Sequence, residues 1–327
     1  METRELGRTG LRVTPVGLGL AALGRPAYIT AGRDRDLGDG RDRSVEAMEA
    51  RSHDALDAAW AAGIRYLDAA RSYGYAERFL ASWLRARAID PSEVTVGSKW
   101  GYRYVGEWRM DAPVHETKDH SLANLRAQWP ESRELLGPWL RLYQVHSATL
   151  ESGILTDEAV LAELARLRAE EGIVVGLSVS GPRQADVIRA ALGVRVDGVN
   201  PFAQVQATWN LLEPSAGPAL AEAHDAGWGV IVKEALANGR LLEGGGDEAV
   251  ARGHARTGHG RDVLAMAAVL ANPWADVVLS GAVTPDQVRS NVGAAAVTDR
   301  DDLAGILSTR AEDPEAYWAA RSARAWA

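Results

Sequence analysis

Eight apolar runs of strand length, at residues 13–20, 64–68, 93–99, 139–147, 173–180, 198–208, 229–235 and 276–282, alternate along the chain with segments of helix length. Strict alternation of this kind leaves a closed parallel barrel or a doubly wound sheet. The count of eight, with ionisable side chains at several strand ends, predicts the barrel: an α/β fold of the (β/α)8 TIM type, with residues 1–327 as a single domain. A turn at residues 7–10 is expected to make a short N-terminal β-hairpin that closes the barrel floor, and long loops are expected on the C-terminal face.

The helix-length segments carry their own punctuation. Residues 46–62 place Ala, Leu and Trp60 at helical spacing and stop at Gly63, and residues 76–88 put Phe79, Leu80, Trp83 and Leu84 on one side. A helix over 115–128 is followed by a second piece over 131–136, which ends at Gly137-Pro138. Further helices are expected at 156–171, 182–192, 214–226, 261–271, 285–296 and 313–325. Residues 24–43 mix Gly, Asp and Arg without a period, so they read as a solvated insertion first and a substrate-facing lid second. WGYRYVGEW, after Lys99, reads as a loop over the mouth, and Gly244 to Gly246 as a linker rather than a phosphate loop.

Charge and composition exclude several classes of function. The net charge is −8, and the arginines are interleaved with acids, so no basic stripe is available for nucleic acid. Cysteine is absent, which removes disulfides, thiolate metal sites and a cysteine nucleophile. His115 and His120, placed on a polar helix, and His254 and His259, placed in a glycine-rich loop, read as solvated side chains, so no metal is expected. The charged N-terminus and the lack of any run of about 18 apolar residues make a cytoplasmic location the expectation, without a membrane partner.

Four polar residues stand out at the strand ends. The run ending at Asp68 is followed five residues later by Tyr73; the next ends at Lys99, and the next at His146. An unpaired carboxylate at the end of a buried strand is costly to desolvate, so Asp68 needs a partner. A phenol can hand a proton to a carbonyl oxygen that is becoming an alkoxide. Lys99, held by Asp68, would lower the phenol's pKa, and His146 would donate a hydrogen bond to the same oxygen.

In this order and at these strand ends, Asp68, Tyr73, Lys99 and His146 resemble the catalytic tetrad of the aldo-keto reductases. The resemblance runs through VGLGL, LDAARSYG, GSKWG, YQVHS, VGLSVS, FAQVQATWN and SGAVTPDQVRSN. It implies an NAD(P)-dependent oxidoreductase that interconverts a small carbonyl or sugar hemiacetal with its alcohol or lactone. Two alternatives are a cofactor-binding regulatory protein with little turnover, and an enzyme that uses transient oxidation for elimination or epimerisation. The resemblance places the cofactor against Gly19, Leu20, Ser178, Gln204, Lys233, Leu236, Gly281, Thr284, Gln287 and Asn291, with Ser180 or backbone standing in where relatives have Asn. Many relatives have an aromatic residue where this chain has Lys233, a cation that would disfavour the oxidised nicotinamide. The helix beginning near Thr284 offers its amides to an anion, Arg289 is the nearby cation, and the pattern leans slightly to NADP(H) with NAD(H) kept open. Trp100 and Trp209 flank the mouth as candidate substrate contacts. Substrate identity and oligomeric state are not legible.

Overall fold

A computed structural model describes residues 1–38, 42–242, 248–297, 300–307 and 311–326. Eight parallel strands close into a barrel: β3 (Val16–Gly19), β4 (Tyr66–Asp68), β5 (Thr95–Trp100), β8 (Leu140–Ala148), β9 (Val174–Val179), β10 (Gln204–Thr208), β11 (Gly229–Lys233) and β12 (Val277–Ser280), with β12 pairing back onto β3. Two antiparallel pairs stand outside it, β1 (Arg4–Glu5) with β2 (Arg12–Val13) and β6 (Tyr102–Tyr104) with β7 (Glu116–Lys118). The fold is the (β/α)8 barrel that the alternation predicts.

The hairpin of β1 and β2 plugs the barrel floor. Leu6, Leu11 and Val13 pack with Tyr66, Leu142, Ile231 and Val277 in a small apolar cluster. Gly7 turns the chain there with a φ of 54°, and any Cβ on it would lie 2.4 Å from the Gly229 nitrogen. Only glycine fits both the turn and the contact.

Around the barrel run α2 (Val45–Ala61), α3 (Ala76–Ala86), α4 (Leu122–Leu136), α5 (Glu158–Glu171), α6 (Gln184–Gly193), α7 (Gly217–Asp225), α9 (Arg261–Leu270) and α10 (Pro285–Asn291). Ser44, Ser121, Asp157 and Thr284 cap their helices through side-chain oxygens. Three further helices are α1 (Arg33–Asp36), α8 (Glu248–Thr257) and α11 (Arg300–Leu307); α12 (Pro314–Ser322) is the expected terminal helix. Among the described residues no helix is long and apolar enough to cross a membrane.

Several local expectations are corrected. Pro130 does not divide α4, because it lies on the exposed side of the helix, where water can take up the carbonyl its ring leaves unpaired. His115 and His120 precede that helix and are not solvated: His115 is buried and stacks on Trp326, and His120 Nε2 lies 2.8 Å from the His146 carbonyl oxygen. His254 lies on α8, its Nδ1 2.7 Å from the His259 carbonyl oxygen. The aromatic segment after Lys99 is half strand, not only loop. The insertion at 24–43 is not simply solvated, since Ala27 and Arg33 are buried and the Arg33 guanidinium donates to the carbonyl oxygens of Ala22, Arg25 and Pro26. Residues 39–41 of that insertion and the linker at Gly244 to Gly246 lie outside the described residues.

Candidate active site

Strand parity decides what faces the barrel axis. Asp68 ends β4 pointing inward, where it is 1% exposed and would be prohibitively costly without partners. It has four. Lys99 donates to one carboxylate oxygen; the Tyr66 hydroxyl at 3.1 Å, Gln206 Nε2 at 3.0 Å and Gln144 Nε2 at 3.4 Å donate to the other. Lys99 also donates to the Ala69 carbonyl oxygen at 3.0 Å. Burial disfavours the ammonium and pulls the Lys99 pKa down, with Asp68 opposing.

Above this polar layer, Tyr73 and His146 meet at the mouth. Their rings cross edge to face with centroids 5.4 Å apart, and Lys99 Nζ lies 4.9 Å from the centre of the Tyr73 ring. The net shift of the phenol is upward: burial first, then the negative charge of Asp68, pushes Tyr73 well above its ordinary value, with Arg25 opposing. His146 is held well below its ordinary value, first by burial and then by Lys99, so it is neutral at physiological pH. Ser72 Oγ lies 3.3 Å from His146 Nδ1. The tautomer in which Ser72 donates there leaves the proton on Nε2, free for a substrate oxygen.

A cleft of about 510 Å³ runs from Tyr73 and His146 across the mouth to Gln287 and Asn291. Its walls include Gly19, Ser178, Ser180, Lys233, Leu236 and Gly281, all on strand ends or the loops after them. Lys233 Nζ donates to Thr208 Oγ1 at 2.9 Å and lies 3.9 Å from Glu234 Oε1. Burial lowers Lys233 to about 8, with Glu234 opposing.

Residues 36–308 match the family model described as the Aldo/keto reductase family. The chain belongs to that family. It is therefore an aldo-keto reductase-type oxidoreductase, of a family that applies NAD(P)(H) to small carbonyl compounds. Among solved structures, the holo form of an aldo-keto reductase from Bacillus halodurans superposes with a TM-score of 0.70 at 21% identity, covering 96% of this chain and 99% of that one. A Pseudomonas aeruginosa protein described as an aldo-keto reductase gives 0.63 at 24% identity, covering 90% and 95%. The pyridoxal 4-dehydrogenase of Microbacterium luteolum is 30% identical over 166 residues, which span 44% of this chain and 43% of that enzyme.

In this aldo-keto reductase the cleft excludes five residues expected to line a binding site. Gln204 is fully buried one layer too deep: the register pairs it with Gly176, and it is Gln206 that pairs with Ser178 at the cleft. Leu20, next to cleft-lining Gly19, turns outward into the core, as does Trp100 next to Lys99. Trp209 follows β10 and packs edge to face on Trp274. Thr284 turns back to accept the Gln287 backbone N–H, while Gln287 Oε1 accepts from Val283 N–H just before the helix, so these two amides are already engaged. Not foreseen from the sequence are Ser72 and Gln206, and also Arg25, Tyr28, Tyr102 and Glu116, which line the same cleft as Tyr73 and His146. Parity alone points to Gln206; nothing in the local sequence marks the others.

A nicotinamide dinucleotide fits this donor set. Ser178, Gln206 and Ser180 offer side-chain donors beside the tetrad, and Gly281, Gln287 and Asn291 line the far end after β12, where barrels of this type hold phosphates. Among the described residues no cluster of His, Cys, Asp or Glu could hold a metal ion.

Proposed function

We propose that this aldo-keto reductase oxidises and reduces a small carbonyl, or the corresponding hemiacetal, with Tyr73 as the proton carrier and NAD(H) as its preferred cofactor. The observation that carries the chemistry is the convergence of Asp68, Lys99, Tyr73 and His146 at one end of a cleft whose other end is Gln287 and Asn291. The bound cofactor supplies or accepts the hydride. In the oxidation direction the alcohol C–H leaves as that hydride and the O–H proton passes to the Tyr73 oxygen; in reduction the protonated phenol returns it to the alkoxide. His146 Nε2–H orients the same oxygen, and the ring walls of Tyr28, Tyr102 and Trp326 keep water from it. Their flat faces suit a planar ring, and the pyridoxal 4-dehydrogenase relative supports extending the substrate class to aromatic aldehydes.

The cofactor preference reverses the lean taken from the sequence. Asp36, on α1, accepts from Gln287 Nε2 at 2.7 Å, and Asp262 lines the same end of the cleft. Two carboxylates there oppose a 2′-phosphate and suit ribose hydroxyls. The nearby cations are turned elsewhere: Arg33, which lines the cleft, to the carbonyl oxygens of Ala22, Arg25 and Pro26, Arg289 to Asp286, Arg261 to the Leu242 carbonyl oxygen, and Arg35 to Asp36 itself.

Two measurements test this. Tyr73→Phe lowers kcat about a hundredfold or more with cofactor affinity unchanged; turnover near wild type rejects the proton-carrier role. NADH binds about tenfold more tightly than NADPH, and Asp36→Asn narrows that ratio. Equal affinities in the wild-type protein reject the preference.

A further inference from the structure

Arg25, in the loop after β3, is 3% exposed, and its guanidinium carbon lies 5.1 Å from the centre of the Tyr73 ring. Lys99 approaches the same ring to 4.9 Å. The phenol is therefore flanked by two cations at nearly equal distance, each with its own counter-ion. Asp68 neutralises Lys99 in direct contact; Glu116, on β7, accepts from Arg25 Nη1 at 2.8 Å. Arg25 is also boxed by aromatic rings, 4.8 Å from the Tyr28 centroid and 4.6 Å from that of Trp326, which in turn stacks on His115. Rings on these sides keep water away, so the guanidinium charge acts on its neighbour with little screening.

We propose that Arg25 is a positioning residue for proton transfer, the cation that stabilises the Tyr73 phenolate, with Glu116 as the counterweight that limits it. The inference rests on the reading of Tyr73 as proton carrier. The other groups acting on Tyr73 are Asp68, Tyr66 and Lys99 from the barrel interior, His146 from β8, Tyr28 from the loop after β3 and Glu234 after β11, while Lys233 and Arg321 line the same cleft. After burial and Asp68, which both oppose ionisation of the phenol, Arg25 is the leading influence that favours it, and Glu116 works against it. Lys99 divides its charge between Asp68 and the ring, and Arg25 adds a second cation on another side of it. Arg25 also donates to the Ser72 carbonyl oxygen at 3.2 Å, so it holds the segment that carries Tyr73 as well as facing the ring.

The test is the pH profile of kcat for alcohol oxidation, with cofactor saturating, in wild type, Arg25→Gln, Arg25→Lys and Glu116→Gln. Losing the Arg25 charge moves the rise in rate to higher pH, and losing the Glu116 charge moves it to lower pH. Arg25→Lys, which keeps the charge, returns the profile towards wild type even where kcat is reduced. A purely structural role for the pair would lower the rate at every pH without displacing the profile. Unmoved profiles, or displacement of both variants in one direction, overturn the proposal even when Tyr73→Phe is inactive. A fully active Tyr73→Phe overturns the proton-carrier reading first, and this proposal falls with it.

Discussion

Lys233 ends β11 and Glu234 follows it with the opposite charge, and the balance between them decides what a positively charged ring meets in the cleft. Glu234 takes a left-handed backbone with φ 59°, uncommon for a residue with a side chain, and its carboxylate accepts both forks of Arg321 at 2.5 to 3.0 Å. Burial would raise this carboxyl, but Arg321 and then Lys233 outweigh it and hold the group down at about 2. The Glu234 charge is thus shared between two cations, and the cluster keeps a net positive charge while Lys233 is protonated. Two unit charges 4 Å apart interact by about 4 kcal/mol at an effective dielectric near 20, and sharing with Glu234 leaves about 1 kcal/mol against an oxidised nicotinamide. Since Lys233 titrates near 8, its ammonium is present below that pH and lost above it. The Kd of the oxidised cofactor therefore falls about three- to fourfold between pH 7 and pH 9, while that of the uncharged reduced ring stays level. Lys233→Met binds the oxidised form more tightly at pH 7 and loses the pH dependence. Equilibrium binding followed by protein fluorescence reads both; a wild-type Kd that ignores pH across this range removes Lys233 from the account.

At the scale of elements, what was legible in the sequence is what a period or a strand end can encode. The eight strands, their order and the helices between them follow from alternation, and Asp68, Lys99 and His146 are visible because a buried strand seldom ends on a charge without a use for it. Which neighbour of such a residue also faces the cleft is a matter of parity and register. Trp100 and Leu20 miss it by one position, and Gln204 misses it by two, since Gln206 has the same inward parity and stands one layer nearer the mouth. The loops are another matter. The pair β6 and β7 is joined across residues 105–115, and Arg25 meets Glu116 over a separation that no local pattern records. Helix α8 lies in a stretch read as loop, where Gly253 sits against Ile306 of α11, a tertiary contact that helix propensity does not describe.

The whole molecule divides along the barrel axis into a floor that holds it together and a mouth that works. The floor cluster of Leu6, Leu11, Val13, Tyr66, Leu142, Ile231 and Val277 is apolar and closed by the hairpin. One layer up, Tyr66 turns from that cluster to reach Asp68, so the same ring ends the floor and begins the polar interior. The cleft lies beyond Asp68 and shares no residue with the hairpin. A cavity made at the floor should therefore change stability and leave the mouth intact. Leu6 is fully buried there, and Gly229 has no room for a Cβ because Leu6 Cγ would lie 2.4 Å away. Leu6→Ala is expected to cost about 3 kcal/mol, the usual range for such a truncation in a close-packed core. In denaturant unfolding the midpoint drops with the slope unchanged, while kcat, KM and the Kd of the cofactor at 25 °C stay within about twofold of wild type. If the same substitution raised the cofactor Kd tenfold with the protein still folded, the hairpin would be coupled through Tyr66 and Asp68 to the mouth. Tyr66→Phe, which keeps the floor packing and removes only the hydroxyl bond to Asp68, would then reproduce the loss of affinity without the loss of stability.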